Sequence, residues 1–188
     1  MNGNIIIVGV GGQGILLTSK ILGHLSLRMG KDIKVSEVHG MSQRGGSVIT
    51  HVRIGDKVDS PLVDAGQADY VLSFEKLEAM RAEGYLRENG VMIYNTQKML
   101  PMPVISGKAV YPEKEPAAKN RVAVDALELA GKAGSVRSVN IVLLGVLSAF
   151  SDWDEQAWKD SIAACVPPKT LEVNLKAFDE GRKAAGVK

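Results

Sequence analysis

The sequence predicts an α/β fold, a single three-layer Rossmann-like domain over residues 1–188 with a mixed, mostly parallel sheet. Short β-branched segments alternate with helical segments, which is typical of helices packed on a sheet. A glycine-rich turn joins the first strand to the first helix. The chain has 188 residues, 45% of them hydrophobic. That length and composition suit one domain with a sizeable core.

The first elements predict a βαβ unit over residues 4–38. The β-branched run 5–8 indicates a buried parallel strand. Apolar residues then recur every fourth position along one helical stripe: Leu17, Ile21, Leu25 and Met29. Gly30 is a C-terminal stop for that helix, and residues 33–38 form the second strand.

A β insertion follows this unit. Residues 47–54 alternate between two faces, which predicts a strand, and Gly55-Asp56 is a turn signal. Lys57-Val58 is expected to begin a short return strand. This hairpin-like insertion makes the expected sheet mixed.

The second half of the chain predicts strands followed by helices. Strands are expected at 69–74 and 90–94, the latter after the turn pair Asn89-Gly90, with a helical segment at 75–87 between them. A proline-marked surface loop comes next, with a strand near Val104 or Ala109-Val110. Two helices are expected at 117–130 and 138–150. A third begins at the capping box of residues 151–154 and runs to about Cys165, and a final helix follows Pro167-Pro168.

Composition excludes several classes of function. The formal net charge is +2, without a Lys/Arg run, so we expect no nucleic-acid partner and no membrane partner. One cysteine, Cys165, allows neither an internal disulfide nor a Cys₄ iron–sulfur cluster. The three histidines lack metal-ligand spacing, so no metal site is expected. The sequence shows no export signal or bilayer-length apolar run, which indicates a cytoplasmic protein.

The turn Gly9-x-Gly11-x-x-Gly14 lies between the first strand and the first helix. Glycines permit close approach of a ligand, and the helix N-terminus presents N–H groups to a phosphate or carboxylate. These glycines could equally serve only to pack the helix on the strand. A dinucleotide site is a further alternative, with Glu37 near the position of the ribose ligand. Ile15-Leu16 after Gly14 excludes a Walker A motif.

A second loop follows the second predicted strand. There, Arg44 precedes Gly45 and Gly46. A guanidinium beside the first loop could complete an anionic pocket. It could instead pair with an internal carboxylate, with the glycines forming a bulge that leads into the next strand.

Together the two loops resemble a known family. Residues 9–15 (GVGGQGI) and 39–48 (HGMSQRGGSV) are similar to the gamma subunits and gamma domains of 2-oxoacid:ferredoxin oxidoreductases. Residues 140–145 and 174–181 resemble that family's Asn-then-Leu-Gly helix and its C-terminal helix. Within the family, the segment SQRGG at residues 42–46 is most similar to the indolepyruvate branch, in its beta subunit.

The resemblance implies that the cofactors and this chain belong to different subunits of one enzyme complex. The family oxidatively decarboxylates 2-oxoacids with coenzyme A to acyl-CoA, CO₂ and reduced ferredoxin. Thiamine pyrophosphate, magnesium and [4Fe–4S] clusters are held by a large partner subunit, which also reaches ferredoxin. This chain would be the non-redox subunit, inactive alone and holding no cofactor by itself.

The implied cofactor-facing surface comprises residues of both loops: Gly9, Gly11, Gly12, Gln13, Gly14, Arg44, Gly45 and Gly46. No catalytic residue is predicted, because no positioned titratable group stands out. The isolated chain is expected to self-associate as a homodimer through its partner-facing apolar patch. The alternatives are a pyruvate, branched-chain 2-oxoacid or 2-oxoglutarate enzyme, and a free-standing NAD- or FAD-binding protein.

Overall fold

The computed structural model describes residues 2–40 and 46–186. Six strands of this part of the chain form a sheet in the order β2-β3-β1-β4-β5-β6. In chain order they are β1 (Gly3–Val10), β2 (Asp32–His39), β3 (Ser47–Gly55), β4 (Ala68–Ser73), β5 (Leu86–Asn95) and β6 (Arg121–Val124). β3 pairs antiparallel with β1 and β2, while β1–β4, β4–β5 and β5–β6 pair in parallel. The predicted mixed, mostly parallel sheet is confirmed.

Helices cover both faces of this sheet and make three layers. They are α1 (Ile15–Arg28), α2 (Lys76–Arg81), α3 (Met102–Ile105), α4 (Ala126–Ala133), α5 (Val139–Ser148), α6 (Glu155–Cys165) and α7 (Leu171–Ala184). Ile5 and Ile7 of β1 join the larger core with α1 and α4 to α7. Ile6 and Val8 point to the smaller core beneath α2. This alternation is the two-residue period of a strand buried on both faces.

Helix α5 is the most buried helix of the larger core, with every residue from Asn140 to Ser148 buried. It approaches α7 closely through glycines. A Cβ built on Gly145 would overlap the Phe178 carbonyl oxygen, and one on Gly181 would overlap the Val142 carbonyl oxygen. The missing side chains therefore set the distance between the two helix backbones.

The predicted order strand, helix, strand over residues 4–38 is correct, but the two strands are not neighbours in the sheet, because β3 lies between β1 and β2. The predicted return strand at Lys57-Val58 is wrong. Those residues instead lie in a turn where Asp32 accepts a hydrogen bond from the Val58 N–H at 2.9 Å.

Three predictions in the second half are corrected. β5 begins at Leu86, so Asn89-Gly90 lie within that strand, where its register with β4 shifts. Residues 121–124 form β6 rather than helix, and α4 begins only after its N-cap Asp125. The proline-marked loop holds α3 at residues 102–105 instead of a strand. The first two errors share a cause, because pairing with a distant strand overrides local propensity there.

Candidate functional site

The glycine turn lies at the carboxyl end of β1, where α/β sheets bind ligands. Gly12 and Gly14 have φ angles of 93° and 90°, a left-handed conformation that favours glycine. A Cβ on Gly11 or Gly12 would meet no atom of the described residues within 4 Å. This part of the turn is therefore open to a ligand, beside the first turn of α1.

Gln13 holds the turn from inside. Its Oε1 accepts the Val10 N–H at 2.7 Å, and its Nε2 donates to the Phe74 carbonyl at 3.1 Å. The same Nε2 lies 3.3 Å from the Met99 sulfur. A Cβ on Gly9 would lie 2.7 Å from Gln13 Oε1, so Gly9 leaves room for this amide. Gln13 thus ties the glycine turn to the end of β4.

The two loops predicted to form one surface meet at their described ends. The Gly11 N–H donates to the Gly46 carbonyl at 3.2 Å. The Gly40 N–H donates to the Ser47 carbonyl at 2.7 Å, which closes the second loop at its base. Arg44 and Gly45 lie outside the described residues. Their predicted contact with a ligand stays a prediction.

A pocket of about 330 Å³ opens beside the glycine turn and is called the glycine pocket below. It is lined by Gly11, Gly12, Gly14, Ile15, Leu16, Leu17, Glu37, His39 and Val48. The Glu37 carboxylate accepts from Thr50 Oγ1 at 3.1 Å and lies 3.0 Å from His39 Nε2. Glu37 therefore reaches the turn from β2 although β3 separates β2 from β1.

A cleft of about 490 Å³ adjoins the same turn on its other side, at Val10 and Gly46. One wall is apolar and comes mainly from residues 99–105, including α3. The opposite wall carries Ser47, Glu75, Glu78 and Arg81. The Glu78 carboxylate accepts from Ser47 Oγ and Arg81 Nη1, each at 2.5 Å. The cleft is thus amphipathic, with a paired carboxylate at its polar side.

Glu75 fixes the apolar wall of the cleft. Its Oε2 accepts the Glu78 N–H at 3.0 Å and so caps α2. Its Oε1 accepts the Met99 N–H at 3.0 Å and the Tyr111 hydroxyl at 2.5 Å. Burial of Tyr111, with the hydrogen bond to Glu75, raises the pKa of that phenol. One buried carboxylate therefore holds both ends of the segment 99–111.

A second clamp, at Glu115, holds the chain just after this segment. Its carboxylate accepts from Lys76 Nζ and from the Tyr94 hydroxyl, both at 2.6 Å. These two hydrogen bonds lower the pKa of Glu115, while burial and the Glu115 partner raise the pKa of Tyr94 to about 12. The proline-marked loop, predicted to cross the surface with a strand near Val104 or Ala109-Val110, instead forms a wall of the cleft.

Sequence reasoning missed Glu75 and Tyr111. Glu75 carries a weak signal, because it follows a strand and precedes Glu78 by three residues, the spacing of a helix N-cap. Tyr111 carries none, because its partner lies 36 positions away.

Two other potentially reactive side chains, His51 and Cys165, lie outside the cleft and the glycine pocket. His51 is buried and accepts the Val63 N–H at 3.1 Å through Nδ1, and its burial lowers the pKa of the ring. Burial raises the pKa of the Cys165 thiol, which disfavours the nucleophilic thiolate. Residues 2–40 and 46–186 contain no cluster of three His, Cys, Asp or Glu side chains able to hold a metal ion.

Comparison with known proteins identifies the family. The family model for pyruvate ferredoxin/flavodoxin oxidoreductase matches residues 4–184. The chain belongs to this family. The indolepyruvate oxidoreductase subunit IorB of Thermococcus kodakarensis is 44% identical over 97% of this chain and 95% of its own length.

Two further members are more distant. The ketoisovalerate oxidoreductase subunit VorA of Methanothermobacter marburgensis is 30% identical over 93% of this chain but only 35% of its own length. The crystal structure of a keto/oxoacid ferredoxin oxidoreductase gamma subunit from Geobacter sulfurreducens matches with a TM-score of 0.76. It is 25% identical and aligns over 97% of this chain and 98% of its own. The fold is therefore that of a gamma subunit.

Among the residues that the structure describes, no helix is both long and apolar enough to cross a bilayer.

Proposed function

We propose that this chain is the non-redox subunit of an indolepyruvate:ferredoxin oxidoreductase. The complex would oxidise indolepyruvate with coenzyme A to the acyl-CoA thioester and CO₂, and would pass the two electrons to ferredoxin. The observation that carries this assignment is the 44% identity to an indolepyruvate oxidoreductase subunit across nearly the full length of both chains. The ketoisovalerate relative is only 30% identical. Pyruvate, branched-chain and 2-oxoglutarate substrates remain outcomes of the test.

The site supports coenzyme A as the ligand of this subunit. Coenzyme A combines a diphosphate with a long, flexible and largely apolar arm. The open glycines of the turn, at the head of α1, suit the diphosphate. The cleft begins at Val10 and Gly46, beside the turn, and its wall of residues 99–105 suits the arm. Gly9, Gln13 and Gly14 shape this surface, and Arg44 and Gly45 extend it in the proposal.

The redox groups belong to a partner in this proposal. A [4Fe–4S] cluster takes four thiolates, and the sequence has one cysteine. The family resemblance implies that thiamine pyrophosphate and its magnesium also lie on a partner subunit. We therefore assign thiamine pyrophosphate, magnesium, the clusters and the ferredoxin contact to a large subunit, in a cytoplasmic complex.

The test is anaerobic co-expression of this chain with its large subunit. Dye reduction is measured with indolepyruvate, pyruvate, ketoisovalerate and 2-oxoglutarate, each with and without coenzyme A. We expect the highest kcat/KM with indolepyruvate and no activity from either chain alone. Activity confined to another 2-oxoacid would refute the substrate assignment. A chain that purifies alone with bound NAD or FAD would refute the subunit assignment.

A matched pair of glycine variants tests the coenzyme A site in the same complex. Gly12→Ala places a side chain at a φ of 93°, which distorts the turn. We expect it to raise KM for coenzyme A at least ten-fold and to leave KM for the 2-oxoacid unchanged. Gly23→Ala adds the same methyl group on α1, where it meets nothing within 4 Å among the described residues. Equal KM values for the two variants would contradict the site.

A further inference from the structure

The apolar wall of the cleft, residues 99–105, is not held in place by burial. Helix α3 within it has no buried residue, and none of these seven residues belongs to either hydrophobic core. Four of the side chains are 37% to 62% exposed, namely Met99, Leu100, Met102 and Ile105. Because packing does not fix this surface, its position depends on hydrogen bonds at its ends.

The hydrogen bonds at both ends lead to Glu75. Its Oε1 accepts from the Met99 N–H at 3.0 Å, where the wall begins. The same oxygen accepts from the Tyr111 hydroxyl at 2.5 Å, beyond the end of the wall. Tyr111 is only 5% exposed, so this second anchor lies inside the protein. One carboxylate oxygen therefore places the whole apolar wall.

The opposite wall of the cleft depends on the other oxygen of Glu75. Its Oε2 accepts the Glu78 N–H at 3.0 Å and so fixes the first turn of α2. This helix presents Glu78 and Arg81 to the cleft, and the Glu78 carboxylate accepts from Ser47 Oγ at the start of β3. Contacts therefore run from one wall to the other, with Glu75 between them.

The chemistry of this contact requires a carboxylate. Glu75 is 1% exposed, and burying a charge is costly unless the charge is paired or well hydrogen-bonded. The cations of α2 pair with other carboxylates, Lys76 with Glu115 and Arg81 with Glu78. Three neutral donors thus hold Glu75, and they use both of its oxygens. The amide of glutamine has one acceptor and one donor group, so it cannot serve all three.

We propose that Glu75 is a positioning residue for coenzyme A, which sets the separation of the two walls that receive the apolar arm. Its effect is confined to the arm, because the glycine turn proposed for the diphosphate is held by Gln13 instead. The inference rests on the proposed coenzyme A site and names the residue that shapes one half of it.

The experiment uses the assembled complex and two ligands. The KM for coenzyme A is measured first. The second ligand is 3′-phospho-ADP, which keeps the nucleotide and diphosphate of coenzyme A but lacks the arm, and its inhibition constant is measured in competition with coenzyme A. The test variant is Glu75→Gln. The control is Glu83→Gln, the same charge change at a carboxylate that accepts the Ala117 N–H at 2.6 Å outside the lining of the cleft.

We expect Glu75→Gln to raise the KM for coenzyme A by about ten-fold, the size expected for loss of one hydrogen bond to a charged group. The kcat, the KM for the 2-oxoacid and the inhibition constant of 3′-phospho-ADP should stay within about two-fold of the wild type, because only binding of the arm is weakened. A general distortion of the fold would raise the inhibition constant as well. Glu83→Gln should leave all of these values unchanged.

An unchanged KM for coenzyme A in Glu75→Gln would overturn the role of Glu75, as would an equal rise in the inhibition constant of 3′-phospho-ADP. Failure of 3′-phospho-ADP to compete with coenzyme A in the wild type would refute the coenzyme A site itself. If Glu75→Gln does not assemble, Tyr111→Phe replaces it, because it removes one of the three donors and keeps the ring. It should raise the KM for coenzyme A by about three-fold, and an unchanged KM would then refute the proposal.

Discussion

The close contact of α5 with α7 makes Gly145→Ala a test of how tightly this core is built. The new Cβ would overlap the Phe178 carbonyl oxygen, and it would lie 3.0 Å from the Phe178 carbonyl carbon and 3.1 Å from the Arg182 nitrogen. All three neighbours are backbone atoms, which cannot rotate away as a side chain can. The helices must therefore separate, and their shared core must repack.

Overpacking of a core costs about 1–3 kcal/mol, and backbone neighbours place this substitution at about 3 kcal/mol. Replacing glycine by alanine inside a helix returns about 1 kcal/mol. The expected net loss in the free energy of unfolding is about 2 kcal/mol, or about 4–8 °C in Tm for a chain of this length. Urea unfolding with linear extrapolation measures it.

Gly23→Ala on α1 is the matched control. It carries the same gain in helix propensity, but its methyl group meets no described atom within 4 Å. It should raise stability by about 0.5–1 kcal/mol. The two substitutions are thus expected to differ in sign. A Gly145→Ala chain as stable as the wild type, or more stable, would refute the packing argument.

Three further predictions concern the site and the reactive groups. Gln13→Ala removes the acceptor of the Val10 N–H, so hydrogen exchange at Val10 should accelerate; unchanged protection would show that the amide does not hold the turn. The pKa of the Tyr111 phenol is raised in the folded protein, so the folded protein keeps this proton above about pH 10, where the unfolded chain loses it. The free energy of unfolding therefore falls as the pH rises above that value. Tyr111→Phe should make this decline shallower by about 1.4 kcal/mol per pH unit in urea unfolding between pH 10 and 12, and parallel profiles would contradict it. Because the pKa of the Cys165 thiol is raised, we expect Cys165 to be alkylated more slowly in the folded protein than in the unfolded chain at neutral pH. Faster alkylation of the folded protein would show that the thiol is activated instead.

Elements with a strong period were predictable from the sequence. The β-branched run of β1, the fourth-residue stripe of α1 and the alternation of β3 each carry their own signal, and all three form as expected. By contrast, β6 has only four residues, and its pairing with β5 makes it a strand. The position of β3 between β1 and β2 also depends on long-range pairing, which no local pattern encodes.

The same distinction between local patterns and long-range contacts applies to the candidate site. The glycine turn can be recognised in the sequence because its left-handed backbone at Gly12 and Gly14 favours glycine. The direction of the Gln13 side chain cannot be predicted from the sequence, because its partners Phe74 and Met99 lie 61 and 86 positions away along the chain. The close approach of Asn140 to Gly14 likewise depends on the placement of α5 against the turn, which no local pattern encodes.

The double pairing of β3 also determines where the chain can accept an inserted residue without losing the register of the sheet. β3 is matched residue for residue with both β1 and β2, from Ser47 to Ile54 on the first side. One inserted residue within β3 would shift both ladders and exchange its buried and exposed faces. An insertion between Gly40 and Gly46 would leave both ladders intact, because the Gly40–Ser47 hydrogen bond lies at their base. The sheet therefore tolerates a change in the length of the second loop, whose ends stay anchored beside the first loop.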